Sequence, residues 1–177
     1  LTLSSYSKSK EVGENIDVTH YEIHLNEINV ADRIIDATTI ITLKTLTSID
    51  GIELELKSLD VTSVTSDDAI INNFSQNGDV LSVTFGNPVP ANTTISLTVN
   101  YGGTTFNENW GGIHWSNDYV YNLGVGFDSQ PHNLGKTWFP CVDNFTDKAS
   151  FDLYITYPDN MLSSCGGLLF ATTDNGD

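Results

Sequence analysis

Positive charge is scarce in this chain. Seven Lys and Arg stand against 23 Asp and Glu, a formal net charge of −16. Nucleic-acid phosphates are held mainly by Lys and Arg, so this balance excludes nucleic acid as an expected partner. It weighs equally against an anionic membrane surface. Long apolar runs are missing too. None nears the roughly 18 residues of a spanning helix, so no membrane span is expected. No signal-peptide pattern opens the sequence as given. Cysteine is limited to Cys141 and Cys165. Two readings stay open for that pair: one disulfide in an oxidising compartment, or two separate buried thiols.

Catalytic signatures are also lacking. There is no His-Glu-x-x-His, so no helix offers two zinc-ligand histidines beside a general base. There is no Gly-x-Ser-x-Gly elbow and no Cys-x-x-Cys pair. Gly124-Val125-Gly126 lacks the remainder of a dinucleotide fingerprint. His20, Glu22 and His24 share one face of an expected strand. At that spacing neighbouring side chains stand roughly 7 Å apart. They read as a solvated polar face, or as part of a metal site only with ligands from a neighbouring strand. No catalytic and no metal-ligating residue is therefore expected in this chain.

What is abundant is period-two alternation. Tyr21, Ile23 and Leu25 alternate with polar neighbours, as do Ile52, Leu54 and Leu56, then Leu81, Val83 and Phe85. Ile95 to Tyr101 and Phe151 to Tyr157 follow the same rule. Such segments bury one face of a sheet and wet the other. Turn signals separate them at Asp50-Gly51, Asn77-Gly78, Gly86-Asn87-Pro88 and Gly102-Gly103. Asn77-Gly78, between Ile70-Ile71 and Val80-Phe85, predicts a hairpin. No helical periodicity of useful length competes. The expected fold is all-β, with curved, saddle-like, mainly antiparallel sheets or a sandwich. Residues 1–14 read as a flexible leader and 15–177 as a single domain. The stretch Ser163 to Leu168 looks like the start of a further hairpin, and its abrupt end predicts a fragment of a longer protein.

The run from Gln130 to Phe151 breaks the alternation. It combines Trp138, Phe139 and two prolines with polar groups, too apolar for a solvated linker, so it must be held against something. Gln130 precedes Pro131, which favours an extended backbone. Its carboxamide can both accept and donate hydrogen bonds. Trp110, Trp115 and Trp138 lie with Tyr119, Tyr121 and Phe127 around a Gly-rich region. They either close the end of a sandwich or line part of a cleft.

Pro131, Phe139-Pro140-Cys141, Asp143, Lys148-Ala149 and Phe151 fall on the pattern E-P-x-x-A-R-x-x-F-P-C-x-D-x-P-x-x-K-A-x-F, with one residue more before the cysteine. In that respect the chain resembles the aminopeptidase N family of zinc metallopeptidases. Asp17 to Leu25 is similar to the family's opening strand, V-x-H-Y-D-L-x-L. Leu97 to Gly103 is similar to its L-x-I-x-Y-x-G strand, and Pro158 with Ser164-Cys165-Gly166 to its P-x(n)-S-N-G segment. The resemblance covers nearly the whole chain and implies a non-catalytic N-terminal β domain. The thermolysin-like catalytic domain, on the same chain, would supply zinc, general base and the G-A-M-E-N loop. In the family the loop before F-P-C reaches the active site, where a Glu or Gln helps hold the free α-amino group of the peptide substrate. That role would fall to Gln130, with Phe127, Asp128 and Trp138 as supports. The chain departs from the pattern at Gln130 itself, usually Glu. It departs also near Gly135-Lys136, usually Ala-Arg, and at Asn144-Phe145, usually Glu-Pro.

The expectation is thus the N-terminal domain of a zinc aminopeptidase, inactive alone, needing no cofactor of its own. The rival is a free-standing β-sandwich that binds glycans through Trp110 and Trp115. Compartment is not fixed, although a Ser-, Thr- and Asn-rich, Lys-poor composition leans toward an extracytoplasmic place.

Overall fold

Inward-facing Ile, Val and Leu at every second position build the strands of this chain, here described from a computed structural model covering residues 11–117 and 119–176. The architecture is all-β. Eleven strands appear among the described residues: β1 (Ile16–Asn29), β2 (Ile34–Thr45), β3 (Ile49–Glu55), β4 (Asp60–Thr65), β5 (Ile71–Asn77), β6 (Val80–Val89), β7 (Thr94–Thr104), β8 (Asn107–Glu108), β9 (Gly111–Ser116), β10 (Tyr119–Leu123) and β11 (Ser150–Ile155). A five-stranded sheet runs β11-β1-β2-β7-β4, and two three-stranded sheets run β3-β6-β5 and β10-β9-β8. All pairings are antiparallel except β11 with β1.

The two larger sheets share one core. Val18, Ile23, Ile41, Leu43, Leu97, Val99 and Tyr101 meet Leu54, Leu81 and Val83 there, all nearly inaccessible. Fully burying each such side chain contributes about 1.5–3 kcal/mol. The alternation in β1 is not continuous. Val18 and Tyr21 both face inward because the register with β2 shifts between Val18 and His20. One extra residue flips the parity of everything beyond it. The hairpin at Asn77-Gly78 is present, with Gly78 at φ +59°.

Residues 1–10 of the expected leader lie outside the described residues. Glu11 to Asn15 form a turn, in which Gly13 lies so close to Val142 that a side chain would collide. No strand follows Ile155 among the described residues, so the hairpin expected after Ser163 is not formed there. Leu162, Leu168, Leu169 and Phe170 are almost wholly exposed, without the packed face that would hold a strand. The cysteines are separate free thiols, but only Cys141 is buried. The expectation of two buried thiols fails at Cys165, which belongs to that same unpacked segment.

Candidate functional site

The polar face of β1 does not gather a metal set. His20 Nδ1 lies 2.8 Å from Ser150 Oγ, and its Nε2 is 3.5 Å from Asp152. His24 pairs with Glu22 at 2.7 Å and stacks on Tyr154. Each imidazole thus has its own partner. Among the described residues no three His, Cys, Asp or Glu side chains are placed to hold a metal ion.

The sequence-derived site residues Phe127, Asp128 and Gln130 share the tip of one loop, which leaves β10 at Leu123 and returns at Leu134. Val125 bridges Asn133 in antiparallel fashion. The Gly126 N–H donates to the His132 carbonyl at 2.8 Å, and the Leu134 N–H to the Gly124 carbonyl at 2.9 Å. Phe127, Asp128 and Gln130 are exposed. The Gln130–Pro131 peptide is cis. Gln130 Nε2 lies 3.1 Å from His132 Nε2.

The tip leans on the end of β8 and the turn that leads to β9. Glu108 Oε1 accepts from the Asp128 and Ser129 N–H groups at 3.0 and 3.2 Å, and Oε2 accepts from the Ser129 hydroxyl at 2.5 Å. The Ser129 hydroxyl, with the two N–H groups and Lys57 behind it, holds the Glu108 carboxyl below the usual range against some desolvation. From the same turn, Trp110 meets Phe127 edge to face, ring centres 6.1 Å apart. Gly111 and Gly126 let the two backbones approach. A side chain on Gly111 would strike Leu134 and the Gly126 backbone, and one on Gly126 would strike the Glu108 carboxylate.

The root of the loop is tied into the core. Leu134 is fully buried and opens a single 3₁₀ turn, Gly135–Thr137. Asp143 accepts from the Gly135 and Lys136 N–H groups at 3.2 and 3.3 Å, and its own carbonyl accepts from Asn133 Nδ2. Lys136 Nζ reaches Glu55 Oε1 at 2.7 Å and Asp143 at 4.0 Å. Burial alone would lower the Lys136 pKa. The hydrogen bond and charge of Glu55, with the charge of Asp143, outweigh it and raise it. Glu55 and Cys141 exchange both backbone hydrogen bonds, at 2.7 and 3.0 Å. Burial first, then Asp143 and Glu55, pushes the Cys141 thiol well up, so it stays protonated and inert.

Trp138 belongs to this root rather than to the tip. Its half-buried ring packs with Phe139, which meets Tyr21 edge to face at 5.1 Å. Its carbonyl accepts from the buried Tyr101 hydroxyl at 3.0 Å, which leaves Thr39 Oγ1 to donate to Tyr101. Sequence reasoning missed Glu108, Glu55 and Lys136. Glu55 reads as an ordinary outward residue of a strand, and nothing near Glu108 reveals a partner twenty positions on. Of the two tryptophans considered for glycans, Trp110 is exposed, whereas Trp115 is half-buried with its indole N–H donated to Thr105.

Residues 17–175 match the model of the peptidase M1 N-terminal domain. No curated protein matches the chain. Among solved structures, the M1 zinc metallopeptidase of Deinococcus radiodurans, as a mutant bound to a Tyr-Ser-Ala substrate, superposes with a TM-score of 0.79 at 22% identity, covering 93% of this chain and 38% of that one. A second structure, of the M1 zinc metallopeptidase from Deinococcus radiodurans, gives 0.78 at the same identity and coverage. A two-domain M1 zinc metallopeptidase mutant bound to L-arginine gives 0.78 at 22% identity, covering 92% of this chain and 37% of that one. At this identity the likeness establishes the fold.

Proposed function

The chain belongs to the peptidase M1 N-terminal domain family, and from that membership we propose that it is the non-catalytic N-terminal domain of a zinc aminopeptidase. In this reading it walls part of the substrate cleft, and Gln130 helps hold the free amino terminus of a peptide. The observation that carries it is the loop itself. Gln130 sits exposed at a tip whose return end is tied into the core by Leu134 and the Lys136–Glu55–Asp143 network.

The chemistry follows from the amide. With Nε2 turned to His132, Oε1 is left to accept from an ammonium group. Asp128 beside it and the acidic chain as a whole favour a cationic amine. Trp138 acts at the root, through the position of the loop. The described residues do not form a zinc site, so the metal, its ligands and the general base belong to the catalytic domain in this reading, and no bond-breaking step is assigned here. A glycan platform has less support, because Trp115 turns its indole N–H inward to Thr105.

The test is kcat/KM for an aminoacyl substrate in the full-length enzyme. Gln130→Ala removes one hydrogen bond to an ammonium, worth about 1.5–3 kcal/mol, and is expected to lower kcat/KM roughly ten- to a hundredfold. Gln130→Glu should keep or strengthen the contact by charge assistance. Untouched catalysis with a destabilised chain would make Gln130 a loop clasp and move the anchoring role to Asp128 or the catalytic domain.

A further inference from the structure

We infer that Glu108 is the positioning residue of the Gln130 loop: its carboxylate, bonded to the backbone of residues 128 and 129, sets where the amine-holding carboxamide stands. The function of that carboxamide rests on the reading above; the clasp rests on geometry of its own.

Four observations converge on it. First, a single carboxylate accepts three hydrogen bonds from two consecutive residues, immediately before Gln130. Bonds to an ionised acceptor are about twice as strong as neutral ones. Second, the donors are two backbone N–H groups and a short hydroxyl. The contact therefore fixes main-chain position, not the conformation of one long side chain. Third, Gly126 leaves the space that the carboxylate occupies. Fourth, Trp110, two residues from Glu108, braces Phe127 on the other side of the turn. The tip is thus gripped by β8 and the short turn that follows it. The backbone hydrogen bonds of the loop, Gly126 to His132 and Leu134 to Gly124, close its neck. Without Glu108 the neck stays closed and Trp110 still touches Phe127, but the backbone of Asp128 and Ser129 loses the carboxylate that holds it.

A positioning role makes a specific kinetic demand. The anchor contributes to binding the substrate amine, so loosening it should raise KM for free-amine substrates and leave kcat nearly alone. Glu108→Gln retains an acceptor oxygen and a group that can donate to the Ser129 hydroxyl, so it should restore part of the loss.

The experiment uses the full-length enzyme with Glu108→Ala, Glu108→Gln, Gln130→Ala and the Glu108→Ala/Gln130→Ala pair. Amide hydrogen exchange is followed at Asp128 and Ser129, and kcat and KM are measured for an aminoacyl anilide. Glu108→Ala should speed exchange at those two amides and raise KM about tenfold, the size of one hydrogen bond to a charged group. Glu108→Gln should fall between it and the parent. The pair should be no worse than Gln130→Ala alone, because an anchor already removed cannot be misplaced. Unchanged exchange in Glu108→Ala would overturn the inference. So would faster exchange with an unchanged KM in an enzyme where Gln130→Ala does raise KM. If Gln130→Ala leaves KM unchanged while Glu108→Ala frees the two amides, the clasp stands and the amine-anchoring reading falls.

Discussion

Tyr101 shows what one side chain does for this domain. It sits in the core on β7, fully buried, yet its hydroxyl ties Thr39 of β2 to the carbonyl of Trp138 in the loop root. Burial raises its pKa, so it stays a neutral donor. Tyr101→Phe should leave both partners unpaired and cost about 1–3 kcal/mol, read as a fall in the urea midpoint at unchanged m-value. Trp138→Ala keeps that carbonyl and tests the packing of the indole ring instead. A fully buried tryptophan costs about 3–5 kcal/mol on truncation. Trp138 is only half-buried, so about 2 kcal/mol is expected, a drop in Tm of roughly 4–8 °C. A shift within error would show a loop that is not packed. The aromatic pair Trp138-Phe139 was legible in the sequence as a segment that must be held, because large apolar rings do not stay in a solvated linker. Tyr101 and Tyr21 as its holders were not, since alternation says which side a residue faces and not what it touches.

At the scale of elements, the loop from Leu123 to Leu134 and its root behave as one unit joined by charge. The raised Lys136 pKa carries a sign. Folding is favoured by the protonated form, so this contribution is complete below the unfolded lysine value of about 10.4 and is lost as pH rises through the higher folded value. As pH rises past about 10.4 and through the higher folded value, the parent chain should lose stability more steeply than Lys136→Met. Parallel slopes in urea melts across that window would remove the network from the account. The β5–β6 hairpin offers a cleaner case. Nothing lies within 4 Å of a side chain built on Gly78, so Gly78→Ala pays only for the left-handed backbone, about 1–2 kcal/mol, visible in the same melts. The strands were legible because each repeats one simple rule over five or more residues. The bulge in β1 was not, because its extra residue breaks that rule where the polar His20 and Thr19 give no apolar marker. The Glu108 clasp escaped for a different reason: a lone carboxylate at the end of a two-residue strand looks the same whether it meets water or a loop.

At the scale of the molecule, the acidic chain is a β body in which no three His, Cys, Asp or Glu among the described residues are placed to hold a metal ion. The pure chain is expected neither to bind zinc at micromolar concentration by calorimetry nor to hydrolyse an aminoacyl anilide in a chelator-sensitive way. Both activities together in the isolated chain would refute the assignment of chemistry to another domain. The family assignment was readable because its markers are ordered along the sequence and bunch around Phe139-Pro140-Cys141, where local packing demands are strict. The segment after Ile155 was misread because a hairpin needs a partner surface, which a linear pattern does not supply.

The parallel pairing of β11 with β1 joins His20 to Ser150 and Leu25 to Ile155 across the whole body of the domain. On a ribosome adding about 5–20 residues per second, β1 emerges on the order of ten seconds before the strand that closes its outer edge. Throughout that interval a long, unpaired edge is offered to any passing strand. The nascent chain can pair β1 with β2 as they appear, but cannot close the opposite edge of β1 until β11 is made. A chaperone acting during synthesis, or slow release of β1 from the exit tunnel, would act on this edge before the rest of the domain exists.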